Sequence, residues 1–284
     1  AEVLTKYSQS GDNRTSFSPY HFSFSRDAKL AIIVHLYYPN MWSCIAERLT
    51  NVSEPFDLYI TTRVEYSNLQ IDKISDFHKN TNIIVTPNRG RDVLPFLMIA
   101  NRIRELRNYD KILKLHTKKS LHRKDGGAWF DELLNDLLSQ SNIKPIAKAL
   151  NDRQTGAVGS SRHLVSLSRY MGGDELLLRK LITKMSDSKR ASDIIKHKSH
   201  YPYFGGTMFW CRMDYLNPLL DLYMMPSDFP SERGQVDGTM AHAVERSLGK
   251  ILHDISGKAM YSVYDGAVTR IPDKTFDDKY KYAE

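Results

Sequence analysis

The sequence predicts an α/β domain built on a mostly parallel sheet with helices on both faces and a less regular second half. Three observations carry this reading. Short apolar runs of strand length alternate with stretches of helical spacing through residues 30–115. Most of these runs are rich in β-branched residues, which suits strands buried on both faces. A chain of 284 residues, 41% of them apolar, can bury a sizeable core without disulfide or metal staples.

Taken in order, residues 1–27 are polar and aperiodic and read as a lead-in or linker, the domain is expected over 28–260, and 261–284 reads as a C-terminal extension. Residues 30–36 (LAIIVHL) predict the first strand, 41–49 a helix with Trp42, Ile45, Ala46 and Leu49 on one side, and 57–62 (DLYITT) the second strand. A polar helix over 71–79 leads to a third strand over 82–86, a turn Asn88-Arg89-Gly90-Arg91-Asp92, and an apolar helix over 93–106. Residues 111–115 (KILKL) make the fourth strand. Beyond it, 129–138, 143–150, 174–185 and 238–248 read as helices and 156–159 and 204–212 as strands. The Lys- and Ser-rich stretch 186–203 reads as a loop.

Cys44 and Cys211 fit no metal or redox spacing and read as reduced thiols, which makes a reducing cytoplasm the default compartment. No apolar run approaches the roughly 18 to 20 residues of a membrane span, and no secretory signal is evident at the N-terminus. The net charge of +7 admits nucleic acid, an anionic membrane surface or phosphorylated small molecules. The basic residues cluster at Arg89 and Arg91, over 111–124 and over 180–198, without zinc-finger spacing or the pattern of an RNA-binding sheet. A phosphate-rich ligand and an anionic membrane surface, met peripherally, are therefore expected, and nucleic acid is not.

In an open parallel sheet, ligands bind beyond the carboxyl ends of the strands. Those ends carry His35 and Tyr37, Thr61 and Thr62, Asn88 and Arg89, and His116, Thr117 and Lys118. At the Asn88–Asp92 turn, free helix-start amides and the guanidinium groups of Arg89 and Arg91 suit a phosphate or a sugar; alternatively Asp92 caps the helix and the arginines are solvated. The run from His116 through Lys118, Lys119 and Ser120 places cations where a departing diphosphate would develop charge, with a plain basic loop as the alternative. Asp237 precedes a helix, as a cap or as the general base that takes the acceptor proton, with Glu232 in reserve and His242 and Glu245 near in sequence. Gly206, Thr207 and Trp210 are the expected acceptor contacts, and Phe209 reads as core.

Six ordered motifs, VHLYYP, EPFDLYITT, NRGRDVLPF, KLHTKKS, GGTMFWCR and GQVDGTMAHAVER, together resemble the rhamnan synthesis protein F family of bacterial polysaccharide enzymes over about residues 30–252. The resemblance implies a glycosyltransferase of GT-A-like fold, often one module of a larger synthase chain. It implies a sugar, rhamnose or galactose, moved from a UDP- or dTDP-type donor to a lipid-linked, growing surface polysaccharide at the inner face of the cytoplasmic membrane. A GT-A fold commonly ends its fourth strand in a metal-binding Asp-X-Asp. Here His116-Thr117-Lys118 takes that place and Asp237 the place of the base. No cofactor and no metal are therefore expected, and Lys118 or Lys119 would hold the diphosphate. The alternative is a non-catalytic carbohydrate-binding or assembly module.

Overall fold

The computed structural model describes residues 22–63, 71–118 and 126–272. Its strands are β1 Leu30–His35, β2 Phe56–Thr62, β3 Thr81–Val85, β4 Lys111–His116, β5 Thr155–Ser160, β6 Leu164–Ser166, β7 Pro202–Phe204, β8 Phe209–Arg212, β9 Ala259–Tyr264 and β10 Ala267–Arg270. Its α-helices are α1 Trp42–Leu49, α2 Ile71–Phe77, α3 Val93–Leu106, α4 Gly126–Leu138, α5 Gln140–Asn151 and α6 Leu167–Tyr170, followed by α7 Glu175–Met185, α8 Ser188–Lys196, α9 Asn217–Leu220, α10 Met240–Ser247 and α11 Lys250–Ser256.

Eight strands form one sheet in the order β10-β9-β5-β8-β4-β1-β2-β3, while β6 and β7 pair antiparallel with each other. Within the sheet β1, β2, β3, β4, β5 and β9 point one way, and β8 and β10 run against them. This is the expected α/β class, a mostly parallel sheet covered on both faces, and it is consistent with a GT-A-like fold.

Alternation along each strand divides the core in two. On β1, Leu30, Ile32 and Val34 join Leu113 and Leu115 of β4 against α1, α2, α4 and α5. Ala31 and Ile33 face the other way, with Ile112, onto a cluster built by α3 and the helices from α6 to α11. By the same parity His35, Thr61, Lys114 and His116 lie on the α3 face, at or near the carboxyl ends of their strands.

The structure revises three expectations. The stretch expected as a loop over 186–203 contains α8: Asp187 caps it by accepting from the Arg190 amide at 2.8 Å, and Ala191, Ile194 and Ile195 are buried. Its apolar stripe is only three residues wide and lies hidden among Lys and Ser. The strand expected over 204–212 is split by a left-handed turn at Gly206 (φ +81°) and Thr207 (φ +50°), and β8 starts only at Phe209. The sheet also runs past residue 260. β9 pairs with β5 and β10 with β9, so residues 261–270 belong to the domain rather than to an extension.

The last lead-in residues pack on this frame. Ser25 donates its amide to the buried Asp57 carboxylate at 2.6 Å, and Arg107 donates to the carbonyls of Ser25, Arg26 and Ala28. No helix of the described residues is long and apolar enough to cross a membrane.

Candidate functional site

The site gathers at the carboxyl ends of β1, β2 and β4, under the amino end of α3. The register pairs Lys114 with Phe209, which brings Thr207, two residues earlier, beside the end of β4. Lys114 stands mid-strand between two leucines and is 1% exposed. A buried ammonium must be paired, and its three donors are all committed: to Asp92 Oδ2 at 2.5 Å, to the Thr207 carbonyl at 2.7 Å and to Thr207 Oγ1 at 3.0 Å. The Thr207 hydroxyl in turn donates to the same Asp92 oxygen at 2.5 Å. Asp92 thus faces the strand ends and makes no side-chain cap on α3, which removes the capping alternative.

Electrostatics follow from this packing. Burial alone would raise the Asp92 carboxyl, but His116, Lys114 and the hydrogen bonds from Lys114 and Thr207 hold it well below the usual carboxylate range. Burial pushes His116 down to about 3, opposed by Asp92 and reinforced by Lys114. His35 is pushed down to about 4, again mainly by burial. Burial lowers Lys114 from its ordinary value, opposed by Asp92, and its three donor contacts are those of an ammonium, so the cluster reads as an ionised carboxylate and a buried ammonium among neutral imidazoles. His116 Nδ1 stands 3.5 Å from Asp92 Oδ2 and has no hydrogen-bond partner among the described residues. His35 Nδ1 meets Thr61 Oγ1 at 3.0 Å.

A second wall comes from α10. His242, pushed down to about 4 by burial and by Arg91 and Arg246, shares Nδ1 with Thr239 Oγ1 at 2.9 Å. Its buried Nε2 has no partner among the described residues. Asp92 and Asp237 both oppose this lowering electrostatically. Three residues on, Glu245 accepts the Gly206 amide at 3.2 Å and acts electrostatically on Lys114. A Cβ on Gly206 would fall 2.3 Å from the Trp129 ring, so glycine is required there both by space and by its φ. Lys118 lies over that ring, Nζ 4.4 Å from its centroid, and the buried Trp129 Nε1 is unpartnered among the described residues.

Other expected residues have different work. Arg89 donates to the Phe229 carbonyl at 2.9 Å. Arg91, held at φ +54°, donates to the Gln235 carbonyl and pairs with Glu232 at 3.6 Å. The arginines therefore clamp the segment 229–235 rather than standing solvated, and Glu232 is engaged by Arg91. Gly90 packs against Leu94 and Phe229, where a Cβ would come within 2.6 Å of both. Asn88 is exposed.

Asp237 is exposed and does not cap α10, which starts at Met240; its Oδ2 accepts the Gly173 amide at 3.1 Å, in the turn that leads into α7, while the Gly238 amide donates to buried Asp174 at 2.8 Å. Thr62 and Thr117 tie loops together through Leu36 O and the Tyr38 amide, and Tyr37 lies under the Arg63 guanidinium at 4.3 Å. Trp210 is not an acceptor contact: it is 1% exposed and donates to the Leu137 carbonyl inside the core. Lys119 lies outside the described residues.

Sequence reasoning missed Lys114, Trp129 and the Glu245 contact with Gly206. A lysine two residues before His116 in an apolar strand shares its face, and that signal could have found Lys114. A separate groove of about 870 Å³, which includes Lys189, Arg190, Tyr201 and Arg270, lies at the amino ends of β5 and β9, away from this cluster. Among the described residues no three His, Cys, Asp or Glu side chains are grouped to hold a metal ion.

The family described as rhamnan synthesis protein F matches residues 14–256, which spans every side chain of this cluster. The chain belongs to the rhamnan synthesis protein F family. That membership connects it with polysaccharide synthesis. Two curated relatives, from two strains of Xanthomonas campestris pv. campestris, both carry the name uncharacterized protein WxcX. Each is 34% identical over 227 residues, covering 77% of this chain. The chain spans 30% of the length of these relatives.

Proposed function

We propose that this rhamnan synthesis protein F domain is a glycosyltransferase that moves a sugar, rhamnose or galactose, from a UDP- or dTDP-type donor to a lipid-linked surface polysaccharide. The observation that supports the reading furthest is the ionised, partly buried Asp92 beside the unpartnered His116 Nδ1 at the carboxyl ends of parallel strands, with a second buried and unpartnered ring nitrogen at His242 Nε2 on α10. A buried polar atom with no protein partner calls for one from outside the chain, a water, an ion or a ligand.

In this reading the base and ribose lie over β1 and β2, near His35, Tyr37 and Thr61. Asp92 accepts a hydroxyl of the donor sugar, because a carboxylate that stays ionised is a strong acceptor and a poor proton carrier. Lys118, with Lys119, stabilises the departing diphosphate. Asp237, exposed at the rim next to His242, takes the acceptor proton. A divalent metal fits poorly here, since the Asp92 oxygen facing His116 already holds the Lys114 ammonium. Work at the cytoplasmic face of the membrane, held peripherally by basic residues and attached to other modules of a synthase, belongs to the same proposal.

Calorimetry of the protein against UDP, dTDP, GDP and their sugars, with EDTA or manganese, tests it first. One diphosphate binding with EDTA present, followed by sugar transfer to a lipid-linked acceptor, is the expected result. Glycan binding with no nucleotide binding would replace it with the assembly-module reading, and binding abolished by EDTA would remove the metal-free account.

A further inference from the structure

We infer that Lys114 is a positioning residue, which holds the Asp92 carboxylate and the Gly206–Thr207 turn in the arrangement a bound sugar meets, without touching the ligand itself. Its kinetic consequence rests on the transferase reading above; its structural consequence does not.

The argument begins with capacity. An ammonium has three donors and no acceptor, and all three donors of Lys114 end on Asp92 Oδ2, Thr207 O and Thr207 Oγ1. At 1% exposure no face remains for a phosphate or a hydroxyl to approach. Lys118 differs: it is partly exposed, and its ammonium rests on the Trp129 ring.

The second step is backbone. Gly206 and Thr207 are consecutive left-handed residues, and a β-branched residue at φ +50° is an outlier that its surroundings must hold. Lys114 grips this residue twice, at its carbonyl and at its hydroxyl. The turn in turn sets the Gly206 amide on Glu245 and the edge of Trp129 against Gly206. A single side chain therefore fixes both walls of the site.

The third step is the carboxylate. Lys114 and Thr207 both donate to Asp92 Oδ2, which leaves Oδ1 without a partner among the described residues on a side chain that is 15% exposed. Oδ1 is the atom offered to a ligand, and Lys114 decides where it points and keeps it charged.

The test uses Lys114→Met, with Thr207→Ala as the second variant because it removes one Asp92 donor and one Lys114 acceptor while leaving the ammonium in place. Three quantities are read in each: the NMR titration of the Asp92 carboxyl carbon, donor affinity by calorimetry, and kcat and KM separately. In Lys114→Met the Asp92 titration moves up towards the ordinary carboxylate range, kcat falls about 100-fold, its acid limb shifts to higher pH, and donor KM changes less than 3-fold. Thr207→Ala moves each quantity the same way by less.

An Asp92 titration that stays put in a folded variant overturns the inference. So does a KM rise with kcat unchanged, the signature of a direct ligand contact. Should Lys114→Met not fold, the Thr207→Ala titration decides. If no donor turns over in the wild type while the titration moves as described, the transferase reading fails and the positioning role stands.

Discussion

Asp92 and Asp237 both precede a helix, both read from sequence as a cap or a working carboxylate, and neither side chain caps the helix that follows it. They differ in what surrounds them. Asp92 lies among a buried ammonium, a hydroxyl and a neutral imidazole, and its charge is fixed. Asp237 is exposed on a loop flanked by Gly234 and Gly238, both at positive φ with open space around them, and holds one backbone amide. A carboxylate whose charge is fixed suits holding a ligand, and one on an open rim suits exchanging a proton. In the proposed mechanism the two roles would divide between this packed floor and the loop beyond the segment that Arg89 and Arg91 clamp.

The largest effect should come from breaking the floor. Asp92→Asn leaves the Lys114 ammonium buried without its counter-charge, which costs roughly 3–5 kcal/mol. At roughly 2–4 °C per kcal/mol for a domain of this size, Tm should fall on the order of 10 °C. Donor turnover should drop by about 1,000-fold or more. A variant as stable as the wild type, measured by thermal unfolding, would show that the ammonium is not held by Asp92.

Acid comes next, and it separates floor from rim without mutation. His35, His116 and His242 are held down to about 4, 3 and 4 against an ordinary 6.5. Below pH 6.5 the unfolded chain binds protons that the folded chain refuses, so stability falls as the pH drops from about 6.5 towards 4. Asp92 has the same sign: its contribution is present above the unfolded carboxyl value and is lost only in stronger acid. Tm recorded from pH 7.5 to 4.5 should be flat above 6.5 and then decline, and His242→Gln should make the decline shallower. A flat profile down to pH 5 would contradict the burial of these rings.

The same contrast explains how much was legible in the sequence. Strands β1 to β4 were, because a parallel strand buried on both faces is a continuous apolar run, and α3 was, because its apolar residues repeat at helical spacing. The strand-end rule found His35, Thr61 and His116. It passed over Lys114, which lies inside a strand and earns a role only through Thr207, 93 residues further on. The order of β8 between β4 and β5, and the return of β9 and β10 to the sheet, rest on pairings between distant segments that no local pattern encodes. Arg89 and Arg91 were read as phosphate donors because a basic turn before a helix suits an anion; their partners, the carbonyls of Phe229 and Gln235, lie about 140 residues away.

At the rim, Asp237→Asn keeps shape and hydrogen-bonding capacity but cannot take a proton. It should leave the folding free energy within about 0.5 kcal/mol of the wild type, as exposed substitutions usually do. Loss of a general base lowers turnover by about 100-fold and leaves donor affinity as it was. Turnover within 2-fold of the wild type would remove Asp237 from the chemistry and move the search for a base to Glu245 and His242, the pair one helical turn apart on α10.

The smallest effect is expected where composition misled most. An aromatic beside two glycines suggests a sugar platform, yet the register sets Trp210 between Leu113 of β4 and Val158 of β5, on the apolar face opposite the site. Trp210→Phe keeps most of the buried ring but loses the indole N–H bond to Leu137 O, leaving one buried acceptor without a donor. The cost should be about 1–3 kcal/mol of stability, with donor and acceptor KM unchanged because the ring faces the other helix layer. A selective rise in acceptor KM at unchanged Tm would mean that the acceptor reaches through the sheet's edge to this ring, and the division of the two faces into core and site would have to be redrawn.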